Sequence, residues 1–138
     1  MGEFDVFAKN CPSRAVFAHV TGRWGALVLG RLATEPQRFG EIRRQVEGIS
    51  DRMLTQTLRN LVDDGLVSRY SAGTNPPHTE YRLTDAGREV AEAVRSLARA
   101  VESAMPGVLS CTHDRDSWLH RQGTSTSESF SGRGDAIG

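Results

Sequence analysis

A mainly α-helical fold with a small β-hairpin is what the 138 residues predict, on three observations. Phe39, Ile42 and Val46, then Leu54, Leu58, Leu61 and Val62, mark two amphipathic helices joined only by the turn Glu47-Gly48-Ile49-Ser50. Leu66 to Tyr70 and Glu80 to Leu83 alternate in strand fashion around a polar tip holding Gly73, Asn75, Pro76 and Pro77. Val90, Val94, Leu97 and Val101, with Ala86, Ala93 and Ala100 beside them, form a near-heptad seam in a long final helix. The order helix, helix, tight corner, helix, hairpin, helix is that of a winged helix-turn-helix. In that arrangement one middle helix braces the next, whose outer face is free to enter a major groove.

Each element has a local reason. Cys11-Pro12-Ser13 opens the first helix, because the missing N–H of proline costs nothing at the first helical position. Val16, Phe17 and Val20 give that helix an apolar side, and Thr21-Gly22 interrupts it. Trp24, Leu27, Val28 and Leu32 follow at helical spacing, and Thr34-Glu35-Pro36-Gln37 reads as a turn. Gly48 sits where a helix ends in positive φ, Ile49 plugs the corner, and Ser50 caps the next helix with Asp51 at its positive end. Asp63-Asp64-Gly65 stops that helix, Thr84-Asp85 starts the last one, and Pro106-Gly107 is expected to end it.

Composition excludes several classes. The formal net charge is +0, so any anion-binding surface must be local. Two cysteines, Cys11 and Cys111, do not make a secreted disulfide framework. The opening MGEFDVFAKN has early acids and no apolar core, unlike a signal peptide. The run WGALVLGRLA is broken by Gly30 and Arg31 and is too short to span a bilayer. A cytoplasmic protein without a membrane partner is expected. No phosphate loop, Ser/His/Asp set or paired carboxylates stand out, so no catalytic residue, enzymatic activity or cofactor is expected. Cys111, His113, Asp114, Asp116 and His120 match no zinc spacing, so no metal is expected, and Arg133-Gly134-Asp135 is taken as coincidence.

The corner segment is the informative one. At roughly 100° per residue from Leu54, Leu58, Leu61 and Val62 stay within roughly 80° of the apolar direction. Arg59, Arg52, Gln56 and Asn60 fall between roughly 140° and 240°, with Thr55 at the edge. Arg pairs with guanine, and Asn and Gln pair with adenine. An ordinary solvated face uses Glu and Lys in i,i+4 pairs, yet neither residue occurs between Ser50 and Asp64. Ser50, Arg52, Thr55, Gln56, Arg59 and Asn60 are therefore the candidate recognition-helix contacts. Arg38, Arg43, Arg44 and Arg69 are candidates for backbone phosphate, and Asn75 and His78 for the wing.

These residues resemble a known family. Cys11-Pro12, TGRW at Thr21 to Trp24, RFGEIRR at Arg38 to Arg44, GISDRMLTQTLRNLVDDGLVSR at Gly48 to Arg69 and PPHTEYRLTDAG at Pro76 to Gly87 look like the HxlR-type transcriptional regulators, bacterial winged-helix proteins related to the MarR type. The resemblance runs from about Cys11 to about Glu102. It implies a homodimer that binds a pseudo-palindromic double-stranded DNA operator, often as a repressor. Phe17, Val90, Val94, Leu97 and Val101 are the candidate dimer contacts. Some such proteins sense oxidants, quinones or aldehydes through a cysteine near the N-terminus, and Cys11 matches that position. At a helix N-cap the dipole favours its thiolate, so a small electrophile or oxidant is the expected effector. The alternative class is a winged-helix protein-interaction module without specific DNA binding. The resulting division is an arm over 1–10, a winged helix-turn-helix DNA-binding and dimerisation domain over 11–105, and a divergent, disordered tail over 106–138. Beyond Pro106 the resemblance weakens, and from Gln122 the Ser-, Thr- and Gly-rich stretch has too few apolar residues to offset ordering entropy.

Overall fold

The structure, a computed structural model, describes residues 3–73 and 78–127, with the backbone alone at residue 72 and over 112–127. Its elements are α1 (Pro12–Thr21), α2 (Gly25–Leu32), β1 (Gln37–Arg38), α3 (Phe39–Gln45), α4 (Asp51–Asp63), β2 (Val67–Ala72), β3 (His78–Leu83) and α5 (Asp85–Ser127). They divide into two compact units, Met1–Leu97 and Ala98–Gly138. The first is a winged helix-turn-helix: mostly helical, with an antiparallel sheet in the order β1-β3-β2.

Its core lies where the helices meet the base of the hairpin. Val28, Leu29, Ile42, Leu54, Leu61 and Ala91 are fully buried, with Leu58 and Val67 nearly so. Val62, expected in the buried stripe of α4, is half-buried, while Thr57 is buried and was not foreseen in it. Leu27, expected inside, is exposed. The turn between α3 and α4 uses Gly48 at φ 89°, a left-handed conformation cheap only for glycine. Ile49 beside it is buried. Ser50 caps α4 by accepting a bond from the Met53 N–H at 3.1 Å. Removing such a cap costs about 1 kcal/mol.

Two expectations need correction. Thr34 to Gln37 is not simply a turn, since Gln37 and Arg38 form a third strand paired with Tyr81 and Glu80. A two-residue strand is too short to show alternation. Its anchor is a polar residue, because Gln37 is buried and its Nε2 donates to the Arg31 carbonyl at 2.9 Å. The last helix does not stop at Pro106 either, because α5 continues to Ser127 with that proline inside it. Proline removes one backbone donor and crowds the carbonyl four residues earlier, here Glu102. Good helix formers on both sides, among them Ala104, Met105 and Leu109, carry the helix across that single lost bond. The expected tail therefore begins as helix, and 128–138 lie outside the described residues.

The hairpin base is tied to α5 through backbone. Gly65 at φ 80° turns the chain out of α4. The Thr84 hydroxyl donates to the Gly65 carbonyl at 2.6 Å and accepts from the Gly87 N–H at 3.0 Å. The Thr84 N–H donates to the Leu66 carbonyl at 3.0 Å. Gly87 is required here, since a Cβ would lie 1.8 Å from the Leu66 carbonyl oxygen.

Candidate nucleic-acid interface

Helix α4 presents the face that the sequence predicts. Leu54, Leu58 and Leu61 are buried, while Arg52, Thr55, Gln56 and Arg59 are exposed and Asn60 is half-buried. Thr55 donates to the Asp51 carbonyl at 2.8 Å, and Gln56 Nε2 donates to Asn60 Oδ1 at 3.0 Å. The second bond sets the two amides side by side, one turn apart. It leaves the Gln56 carbonyl oxygen and the Asn60 NH₂ free to face outward.

Two clefts flank this face. Between α4 and the hairpin lies one of about 310 Å³, lined by Thr55, Arg59, Asp63, Arg69 and Tyr81 among others. Arg69 opposes Tyr81 across the β2–β3 ladder, which turns it toward α4. Two guanidinium groups and one carboxylate thus share that cleft. On the other flank, between α4 and the α1–α2 corner, lies a cleft of about 480 Å³. Its wall carries His19, Arg23, Trp24, Ser50, Thr57 and Asn60. Arg23 is exposed, and its guanidinium carbon lies 4.8 Å from the Trp24 ring centre. The corner is tight, because a Cβ on Gly25 would lie 1.9 Å from the His19 carbonyl oxygen.

The expected backbone contacts fare unevenly. Arg43 Nε lies 2.5 Å from Asp51 Oδ1, which partly neutralises it inside the chain. Arg44 faces a separate hollow with Leu27, Arg31 and Glu47. Arg38 is exposed just before α3, its N–H 3.4 Å from Glu41 Oε1. His78 opens β3, half-buried, and Asn75 lies outside the described residues. Arg23 and Thr57 were absent from the expected set. The adjacency of Arg and Trp in TGRW was the signal for the first; for the second, only its place among the leucines of α4.

The arm folds over Cys11. Asp5 N–H donates to Cys11 Sγ at 3.3 Å, Ser13 Oγ lies 3.1 Å from it, and Arg14 donates to the Phe7 carbonyl at 3.1 Å. The Ser13 hydroxyl, then the Asp5 and Ser13 amides, hold the thiol below its ordinary pKa. Hydrogen bonds to the sulfur are the main cause of that shift. Of the expected dimer contacts, Phe17, Leu97 and Val101 are exposed, whereas Val90 and Val94 pack half-buried on the core of their own unit. Among the described residues no helix is long and apolar enough to cross a membrane, and no cluster of metal-ligating side chains occurs. The side chains of His113 to His120 are not described, and Arg133 to Asp135 lie outside the described residues.

The HxlR-like helix-turn-helix family profile matches residues 19–107. The chain belongs to that family. Similar to this HxlR-like protein is the uncharacterised HTH-type transcriptional regulator YtfH of Escherichia coli strain K12, 43% identical over 113 residues, which are 82% of this chain and 90% of that one. Among solved structures, the transcriptional regulator ytfH from Salmonella typhimurium has a TM-score of 0.74 at 43% identity, covering 80% of this chain and 99% of that one. The redox regulator HypR in its oxidised form gives a TM-score of 0.62 at 34% identity, covering 67% and 96%. This HxlR-like protein is accordingly a transcriptional regulator with a helix-turn-helix domain.

Proposed function

We propose that this HxlR-like regulator is a sequence-specific DNA-binding repressor. It holds a pseudo-palindromic operator as a homodimer, and modification of Cys11 by a small electrophile or oxidant releases it. The observation that carries the reading is α4, a braced helix whose exposed side offers Arg52, Gln56 and Arg59 and no Lys or Glu. Arg69 beside it supplies a cation where a phosphate backbone would pass. A single winged helix covers half a site, and two copies on a two-fold axis place their α4 helices in successive major grooves, about 34 Å apart. Exposed Phe17, Leu97 and Val101 supply apolar surface for that pairing. Val90 and Val94 contribute less, being engaged within their own unit.

The test is selection of bound duplex from a random pool, then titration of the selected site from 50 to 200 mM salt. Affinity should fall with a log–log slope of several units, about 0.9 per phosphate contacted. A flat salt dependence would defeat the reading and favour the protein-interaction module.

The similarity to HypR, a redox regulator, and the bonds to Cys11 support sensing by this thiol. A lowered thiol pKa means more thiolate at neutral pH, the form that reacts. Ser13→Ala removes the largest cause and should raise the pKa toward its usual range. Alkylation of Cys11 by iodoacetamide should then slow at pH 7 and match the parent protein at alkaline pH, where both thiols are ionised. An unshifted pH–rate profile would remove the basis for the assignment. Cys11→Ser should abolish any response of operator binding to diamide, seen by gel shift.

A further inference from the structure

We infer that the cleft at the α1–α2 corner is a second phosphate clamp, in which Arg23, steadied on Trp24, grips the DNA strand opposite the one held at the wing. The inference rests on the proposed DNA-binding reading. It begins with a dimension. The major groove is about 12 Å wide, and a helix with its side chains is about 10–12 Å across. A helix lying in the groove therefore has a sugar–phosphate backbone on each flank. The wing-side flank of α4 faces Arg69. The other flank is the cleft of about 480 Å³, whose only guanidinium among the described residues is Arg23.

Several hydrogen-bonding groups of that cleft are free to donate. Asn60 Oδ1 is occupied by Gln56, which leaves the Asn60 NH₂. Ser50 Oγ already accepts from Met53, which leaves its proton. His19 Nδ1 is taken by Asp64 at 2.7 Å. Thr57 is only 9% exposed and lines the cleft, where its hydroxyl can donate. Among the described residues no carboxylate lines the wall. Donors with one fixed cation and no acid suit an anionic oxygen. The Arg23 guanidinium lies 4.8 Å from the indole centre, which restricts its orientation before DNA arrives.

The experiment is a salt titration of Arg23→Ala against the selected operator and an unrelated duplex, with Gln56→Ala alongside. A dimer carries Arg23 twice, so the log–log slope should fall by about two units. Between 50 and 200 mM salt, wild type should lose about tenfold more affinity than Arg23→Ala, equally on both duplexes. Gln56→Ala, a neutral change, should weaken the operator with its slope intact. Melting temperature should be unchanged for both, since both residues are exposed. An unchanged slope for Arg23→Ala, with Gln56→Ala still weakening the operator, overturns the clamp alone. So does a loss confined to the operator, which would make Arg23 a base contact. Salt-independent binding by wild type, with Gln56→Ala without effect, brings down the DNA-binding reading and the clamp with it.

Discussion

The double variant Gln56→Ala/Arg59→Ala is expected to bind the selected operator no better than unrelated duplex. Each well-placed base contact is worth about 1–3 kcal/mol of discrimination. A dimer loses four, enough to exhaust the usual margin between specific and non-specific binding, a factor of at least about 10³. Both side chains are exposed and lie on the solvent side of α4, so folding should change by no more than about 0.5 kcal/mol. The measurement is competitive gel shift with operator and scrambled duplex, paired with urea unfolding. A double variant that still prefers its operator a hundredfold would move the recognition surface off α4. Partial loss in the single variants is informative too. Gln56 holds Asn60 by a 3.0 Å bond, so Gln56→Ala frees an amide that Arg59→Ala leaves in place. Their effects should not add, as is usual for neighbours in one network.

Gly87→Ala is expected to be the most damaging conservative change in the first unit. On an exposed helix, alanine for glycine stabilises by about 1 kcal/mol. Here the added Cβ would sit 1.8 Å from the Leu66 carbonyl oxygen, and that atom is backbone, so it cannot rotate away. The same carbonyl accepts from the Thr84 N–H at 3.0 Å, so moving it also strains the start of α5. Overpacking of this kind costs about 1–3 kcal/mol, a sizeable fraction of the roughly 5–15 kcal/mol that holds a domain together. The urea midpoint should fall sharply. A midpoint at or above that of the parent protein would mean that the hairpin base and α5 do not meet as described.

What could be read in the sequence was local or periodic. The leucines of α4, the Ser50 cap, and the glycines at 48 and 65 each announce themselves through a rule acting over a few residues. What could not be read depends on distant partners. Gln37 becomes a strand only because Tyr81 lies opposite it. Arg43 looked available until the corner brought Asp51 within 2.5 Å. Thr57 breaks the apolar pattern of α4 without breaking its burial. Pro106 failed as a stop signal because one missing backbone bond is a small loss in a helix of 43 residues. Arg23, one residue from a tryptophan, carried a hint, but its place on the flank of α4 comes from the α1–α2 corner.

The bond between His19 and Asp64 joins residues 45 apart in sequence. One end belongs to the helix that Cys11 begins, the other to the residue that closes α4. A link of this kind has no preferred direction, because coupling between two equilibria is symmetric in free energy. If ionising the thiol changes operator affinity by some factor, operator binding changes the proton affinity of the thiol by the same factor. The cysteine would then report on the DNA as faithfully as the DNA responds to the cysteine.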